Sequence, residues 1–193
     1  FSNNLLSGEL SKIDFKNDTF KFIGPLSRLE KKDLHIKYKY CFLISGPEPQ
    51  RTILENIAKR ELEKIKEKSI IILGKTEENK TEKYRIHTIY SHLKSEKLNK
   101  ILLESEIIIS RSGYTTIMDL YKLEKKAILI PTPGQTEQQY LAKYLEEKSI
   151  FLSRIQENFC IVSAYLKSEN FSGFNNNIKS EIKWMELFKI FEE

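Results

Sequence analysis

Hydroxyl, amide and carboxylate side chains that could handle a phosphorylated sugar concentrate between Ser110 and Tyr140. Arg111-Ser112-Gly113-Tyr114-Thr115-Thr116 follows the apolar run Ile107–Ile109 and opens a helical pattern carrying Asp119. Pro131-Thr132-Pro133-Gly134-Gln135-Thr136-Glu137-Gln138-Gln139-Tyr140 follows Ala127–Ile130 and opens a second one. Free backbone N–H groups and hydroxyls at a helix start attract phosphate, and a glycine lets it come close. The same residues also suit plain helix capping, with Ser112 or Thr115 as the cap. Asp119 falls one turn beyond Thr115 and Thr116, on or near the same face, where a carboxylate accepts hydrogen bonds from a ribose diol. Gln135, Thr136, Glu137, Gln138 and Gln139, set behind the turn residue Gly134, offer amides and a hydroxyl to a sugar's hydroxyl groups. A purely structural helix start rarely needs two adjacent glutamines.

Strands must position these loops, and apolar runs alternate with helical periods along the chain. Expected strands are Phe20–Ile23, Tyr40–Ser45, Ile70–Leu73, Arg85–Tyr90, Ile107–Ile109, Ala127–Ile130 and Ile150–Leu152. Between Glu48 and Lys68, Ile53, Leu54, Ile57, Ala58, Leu62 and Ile65 keep a helical period; further helices are expected over Glu96–Leu103, Thr115–Leu123 and Thr136–Lys148. Ser153 is the expected cap of another helix, and Lys75–Lys83 is polar enough to be a surface loop. Uniformly apolar strands spaced by amphipathic helices predict an α/β fold: a Rossmann-like, doubly wound parallel sheet of about six strands, helices on both faces. Ligands of such sheets bind beyond the carboxyl ends of the strands. Residues 1–19 read as a linker from a domain on the amino side, 20–170 as the Rossmann-like domain, and 171–193 as a loop and helix. That last helix, Ile178–Phe191 with Trp184, carries more aromatics than one stripe needs and suits docking on the other domain.

Composition narrows the function classes. With 193 residues, 40% apolar and 31% charged, the chain can bury the core of one good-sized domain. Its apolar runs fall far short of the ~20 residues that span a bilayer. Two cysteines, Cys41 and Cys160, argue against a disulfide framework and suit a reducing cytoplasm. His35, His87 and His92 lack metal-ligand spacing, so no metal is expected. The net charge of +5 comes from lysines interleaved with glutamates, as on solvated faces, and no basic stripe with aromatics points to nucleic acid.

Taken together, the two loops resemble the donor-binding, carboxyl-terminal half of a GT-B-fold glycosyltransferase. They are similar to the family of the bacterial UDP-N-acetylglucosamine transferase that acts on the lipid-linked peptidoglycan precursor (glycosyltransferase family 28, C-terminal domain). The family's Arg-Ser-Gly-x-x-Thr-x-x-Glu is matched by Arg111 to Asp119, with aspartate for glutamate, and its Pro-x-x-x-x-x-x-Gln-Gln-Tyr by Pro131 to Tyr140. Gly24-Pro25-Leu26-Ser27-Arg28 resembles its Gly-x-x-x-Arg segment.

By this resemblance Asp119 binds the ribose, Ser112 to Thr116 the diphosphate, Arg28 the donor phosphates, Gln138 and Gln139 the transferred sugar, and His92 or Leu93 lines the uracil pocket. Two positions depart from the pattern. The glycine-rich loop after the first strand is Ser45-Gly46-Pro47-Glu48-Pro49-Gln50, whose prolines remove backbone donors and whose acid opposes phosphate. Asp119 is one methylene shorter than glutamate. The resemblance implies an inverting, metal-independent transferase with no cofactor, a UDP-sugar as donor, and an acceptor-binding amino-terminal domain that supplies the base. Such an enzyme is cytoplasmic, touching the membrane peripherally if the acceptor is lipid-linked. Two alternatives share the fold: a UDP-sugar epimerase, for which Glu137 is the nearest acid–base group, and a nucleotide-sugar-binding subunit that needs a separate acceptor-binding partner.

Overall fold

The computed structural model describes residues 6–11 and 24–174. The expected strand Phe20–Ile23 and the expected helix Ile178–Phe191 lie outside the described residues. In chain order the elements are β1 (Tyr38–Leu43), α1 (Gln50–Leu62), β2 (Ile70–Ile72), β3 (Thr81–Tyr84), β4 (His87–Tyr90), α2 (Ser95–Leu103), β5 (Ser105–Ser110), α3 (Tyr114–Leu123), β6 (Lys126–Leu129), α4 (Thr136–Glu147), β7 (Leu152–Ser153) and α5 (Ile161–Ser168). The strands form one sheet in the order β3-β4-β2-β1-β5-β6-β7. Every pairing is parallel except that of β3 with β4.

Alternation of side chains explains the two helical layers. Cys41, Ile70, Ile72, Ile108, Ala127 and Leu129 face the core beneath α2, α3 and α4, whereas Tyr40, Phe42, Ile71, Ile107, Ile109 and Ile128 face the core beneath α1 and α5. Ile108 and Ile109 are both fully buried, on opposite faces, and burial of each contributes about 1.5–3 kcal/mol. β5 is thereby clamped from both sides, and the loop that follows it has a fixed origin. From β1 the chain winds outward through β2 to β4, returns to β5 on the other side of β1, and continues outward to β7. The winding direction reverses between β1 and β5, which makes the crevice at their carboxyl ends the place where such sheets take ligands.

Two expectations need correction. Lys75–Lys83 is not all loop: β3 covers its end as an edge strand joined to β4 by a tight turn with Arg85 at φ 55. Thr81, Glu82 and Lys83 are all exposed, so no apolar alternation betrays the strand. Ser153 caps no helix; it lies in β7, where its N–H donates to Glu146 Oε1 (3.1 Å). The following helix starts only at Ile161, with Cys160 as its N-cap residue and no side-chain cap bond.

Part of the segment read as a linker packs on the domain. Leu6 enters the core that holds Leu141, and the Glu9 N–H donates to Tyr140 Oη (2.8 Å). Gly8 sits at φ 53, and a Cβ there would stand 2.4 Å from Tyr140 Oη, so glycine is required for this close approach.

Candidate functional site

The loop after β5 presents the start of α3 to the crevice. Gly113 is the N-cap residue in extended conformation, and no side chain caps the helix. Neither Ser112 nor Thr115 takes the capping role: Ser112 is fully buried and its Oγ donates to the Gln138 carbonyl (2.7 Å), while Thr115 is exposed. The first-turn N–H groups of α3 thus have no side-chain acceptor among the described residues, and they carry the positive end of the helix dipole. Among the described residues, a Cβ at Gly113 would meet nothing within 4 Å, so they leave the space above the helix start open. Tyr114 leans on the α2–α4 core, and Thr116 is half-buried.

Further along α3, half-buried Asp119 meets the segment that precedes β1. Ser27 Oγ donates to Asp119 Oδ1 (2.5 Å) and accepts from the Leu29 N–H (3.0 Å). Burial pushes the Asp119 carboxyl above its ordinary range, against the opposing pull of the Ser27 hydrogen bond and the nearby Arg28 charge. Arg28 itself is exposed.

The loop after β6 lies beside the first, joined to it by the Ser112–Gln138 bond. Gly134 turns the chain at φ 82, and Gln135 is the N-cap residue of α4, again without a side-chain cap bond. Gln138 folds back on its own loop: its Oε1 accepts the Thr132 N–H (2.9 Å) and its Nε2 donates to Gln135 Oε1. Gln139, Glu137 and Thr136 are exposed.

Arg111 lies under the loops instead of on them. Its side chain is 1% exposed; Nη1 donates to the carbonyls of Ile130 (3.1 Å) and Pro131 (3.2 Å), and Nη2 to the Gln50 carbonyl and Gln156 Oε1 (both 2.9 Å). Gln156 Nε2 donates in turn to Gln50 Oε1 (2.9 Å). Burial pulls the guanidinium down to about 10, and the charge of Glu157 opposes that shift. One planar fork therefore ties the end of β6, the start of α1 and the segment before α5 to the end of β5. Its Nε and the neighbouring Ser110 Oγ are buried without a hydrogen-bond partner among the described residues.

The loop after β1 is already supplied with an anion. Glu48 Oε2 accepts the Thr52 N–H (3.1 Å) in the first turn of α1, and Glu48 Oε1 accepts from Arg51 Nε (2.9 Å). These contacts hold the Glu48 carboxyl below its ordinary range. His92, half-buried, and Leu93, buried in the α2–α4 core, follow β4, which β2 and β1 separate from β5.

Comparison with known proteins fits this arrangement. The sequence model of the glycosyltransferase family 28 C-terminal domain matches residues 41–159. The chain belongs to this family. A curated relative from Buchnera aphidicola subsp. Schizaphis graminum is named UDP-N-acetylglucosamine–N-acetylmuramyl-(pentapeptide) pyrophosphoryl-undecaprenol N-acetylglucosamine transferase. It is 30% identical over 147 residues, 73% of this chain and 40% of the relative. The chain thus spans well under half the length of that relative. Among solved structures, the kitacinnamycin glycosyltransferase aligns with a TM-score of 0.59 at 14% identity, covering 84% of this chain and 45% of that one. Acinetobacter baumannii MurG aligns with a TM-score of 0.50 at 15% identity, covering 74% and 44%. At such identities the likeness concerns the fold, which is that of GT-B glycosyltransferases.

Both loops lie inside the family 28 match, whereas Ser27 and Arg28 lie before it. Ser27, Gln50 and Gln156 were absent from the sequence-based site. Ser27 falls inside the quoted Gly24–Arg28 segment, but its contact with Asp119 crosses 92 positions and has no local signal. Gln50 and Gln156 reach the site only through Arg111.

Proposed function

We propose that this chain is the donor-binding half of an inverting glycosyltransferase that takes a UDP-linked sugar. The observation that carries this reading is the uncapped start of α3 with Asp119 one turn further along the helix, beside the loop that opens α4. The diphosphate sits against the uncapped N–H groups of Gly113 to Thr116, where the helix end offsets negative charge without a metal. Asp119 accepts from the ribose hydroxyls, Arg28 faces the phosphates, and Gln139 with Glu137 meets the sugar beyond them. Leaving diphosphate is stabilised by the same donors that bind it. The uracil lies towards half-buried His92, since Leu93 is turned into the core and not towards the crevice.

In this reading the acceptor pocket and the general base lie outside these 193 residues, consistent with the share of the relative's length that the chain covers. If the acceptor is lipid-linked, the assembled enzyme works at a membrane surface on the cytoplasmic side, held there peripherally. No helix among the described residues is long and apolar enough to cross a membrane.

A thermal-shift panel of UDP, ADP and GDP tests the proposal. A ligand at ~100 times its dissociation constant adds roughly 2.7 kcal/mol of stability, so UDP should raise the melting temperature at concentrations where ADP and GDP do not. Equal shifts for all three, or none, would overturn the uridine assignment.

A further inference from the structure

Asp119 is an unusual carboxylate in this molecule. Most half-buried or buried acids here are met by cations: Glu55 by Lys59 and Lys75, Glu61 by Lys64 and Arg60, Glu106 by Lys39. Asp119 takes one hydrogen bond, from the neutral Ser27 hydroxyl to Oδ1. Arg28 is near enough to act as a charge but makes no ion pair with it, and the other Asp119 oxygen makes no hydrogen bond among the described residues. The oxygen left without a protein donor is open to a ligand, and a vicinal diol supplies two donors.

Ser27 is held where it can govern that oxygen. The segment from Leu26 to Glu30 is fastened across α2 and α3: the Leu26 N–H donates to Met118 Sδ (3.4 Å), Leu29 is buried in the core, the Glu30 N–H donates to Asn99 Oδ1 (3.0 Å), and Asn99 Nδ2 donates to the Glu30 carbonyl (3.0 Å). Because the Ser27 oxygen already accepts from the Leu29 N–H, and an ionised carboxylate only accepts, the hydroxyl proton has one direction to point. The side chain therefore ties Oδ1 of Asp119 and leaves the other oxygen in one orientation before any ligand arrives.

We propose that Ser27 is a positioning residue for a nucleotide's ribose: its hydroxyl orients the Asp119 carboxylate so that the free oxygen reads a cis-diol. The inference rests on the nucleotide reading given above and adds to it the residue that sets ribose discrimination. It also gives the short aspartate a fixed geometry that its side chain alone lacks. Arg28, next along the chain, is placed by the same fastening but acts on phosphate charge, which is the same in ribose and deoxyribose nucleotides.

Calorimetric titration of the full chain with UDP and with 2′-deoxy-UDP separates the roles, using Ser27→Ala, Ser27→Thr and the native protein. The native chain should prefer UDP by about tenfold or more, the worth of a hydrogen bond to a charged group. Ser27→Ala should lose UDP affinity while keeping that for 2′-deoxy-UDP, collapsing the preference, and Ser27→Thr should restore it. A preference left intact in Ser27→Ala would overturn the proposal, as would equal losses for both ligands, which mark a merely structural residue. Equal binding of both ligands by the native chain would overturn it while leaving the nucleotide site in place. Failure of the native chain to bind UDP at all would remove the nucleotide reading itself.

Discussion

At the scale of residues, buried polar groups set the site's chemistry, and their balance can be read by titration. Burial holds the Asp119 carboxyl above its ordinary range, so the folded state takes up a proton more readily than the unfolded chain. Asp119 therefore subtracts from stability as the pH rises from about 4 through its folded value, and has no such effect well below that. Asp119→Asn, whose amide oxygen still accepts from Ser27, should melt higher than the native chain near pH 7, converge with it near pH 3, and bind UDP more weakly. Melting curves across that range check the sign; a variant that melts lower at pH 7 would show that the carboxylate is structurally favourable instead. Arg111 carries the opposite lesson. Its motif was legible in the sequence, but its burial was not, because the acceptors that satisfy its fork come from Gln50, Ile130, Pro131 and Gln156. Arg111→Lys keeps the charge and loses the fork, and should cost about 1.5–3 kcal/mol of stability in denaturant unfolding.

At the scale of elements, the helices were legible because their apolar period survives in the sequence, and the loops because both follow clamped strands. β3 was not legible: an exposed edge strand has no buried face to impose alternation. The start of α1 shows what the prolines and the acid of Ser45–Gln50 do where the family pattern has a glycine-rich loop. With Glu48 seated on the Thr52 N–H, that helix end holds an internal anion. Glu48→Ala should lower the unfolding midpoint and leave UDP affinity unchanged; a clear loss of UDP affinity by calorimetry would put the loop after β1 back into the site. Within α4 the two glutamines divide. Gln138 braces the loop from Thr132 to Gln135, whereas Gln139 is exposed. Gln139→Ala should weaken a UDP-sugar while sparing UDP, and Gln138→Ala should weaken both, because it loosens the loop that Ser112 joins to α3. Identical effects of the two changes in paired titrations would refute that division.

At the scale of the molecule, one sheet brings both loops to the same edge, and the reversal of winding between β1 and β5 opens the crevice there. The order of strands was only partly legible, since pairing between distant segments leaves no periodic trace in a chain. The proposed function has a definite place in the molecule: a uridine nucleotide is expected over the starts of α3 and α4. Amide chemical-shift mapping of the isotope-labelled chain during titration with UDP tests this most directly. The largest shifts are expected on Gly113 to Thr116, Asp119, Gln135 to Gln138, the Ser27–Arg28 segment and, from the uracil ring, His92. Shifts concentrated elsewhere, such as in the open groove formed by Lys31 to Ile36 with Leu103, Leu123 and Lys125, or an unchanged spectrum at saturating UDP, would contradict that placement.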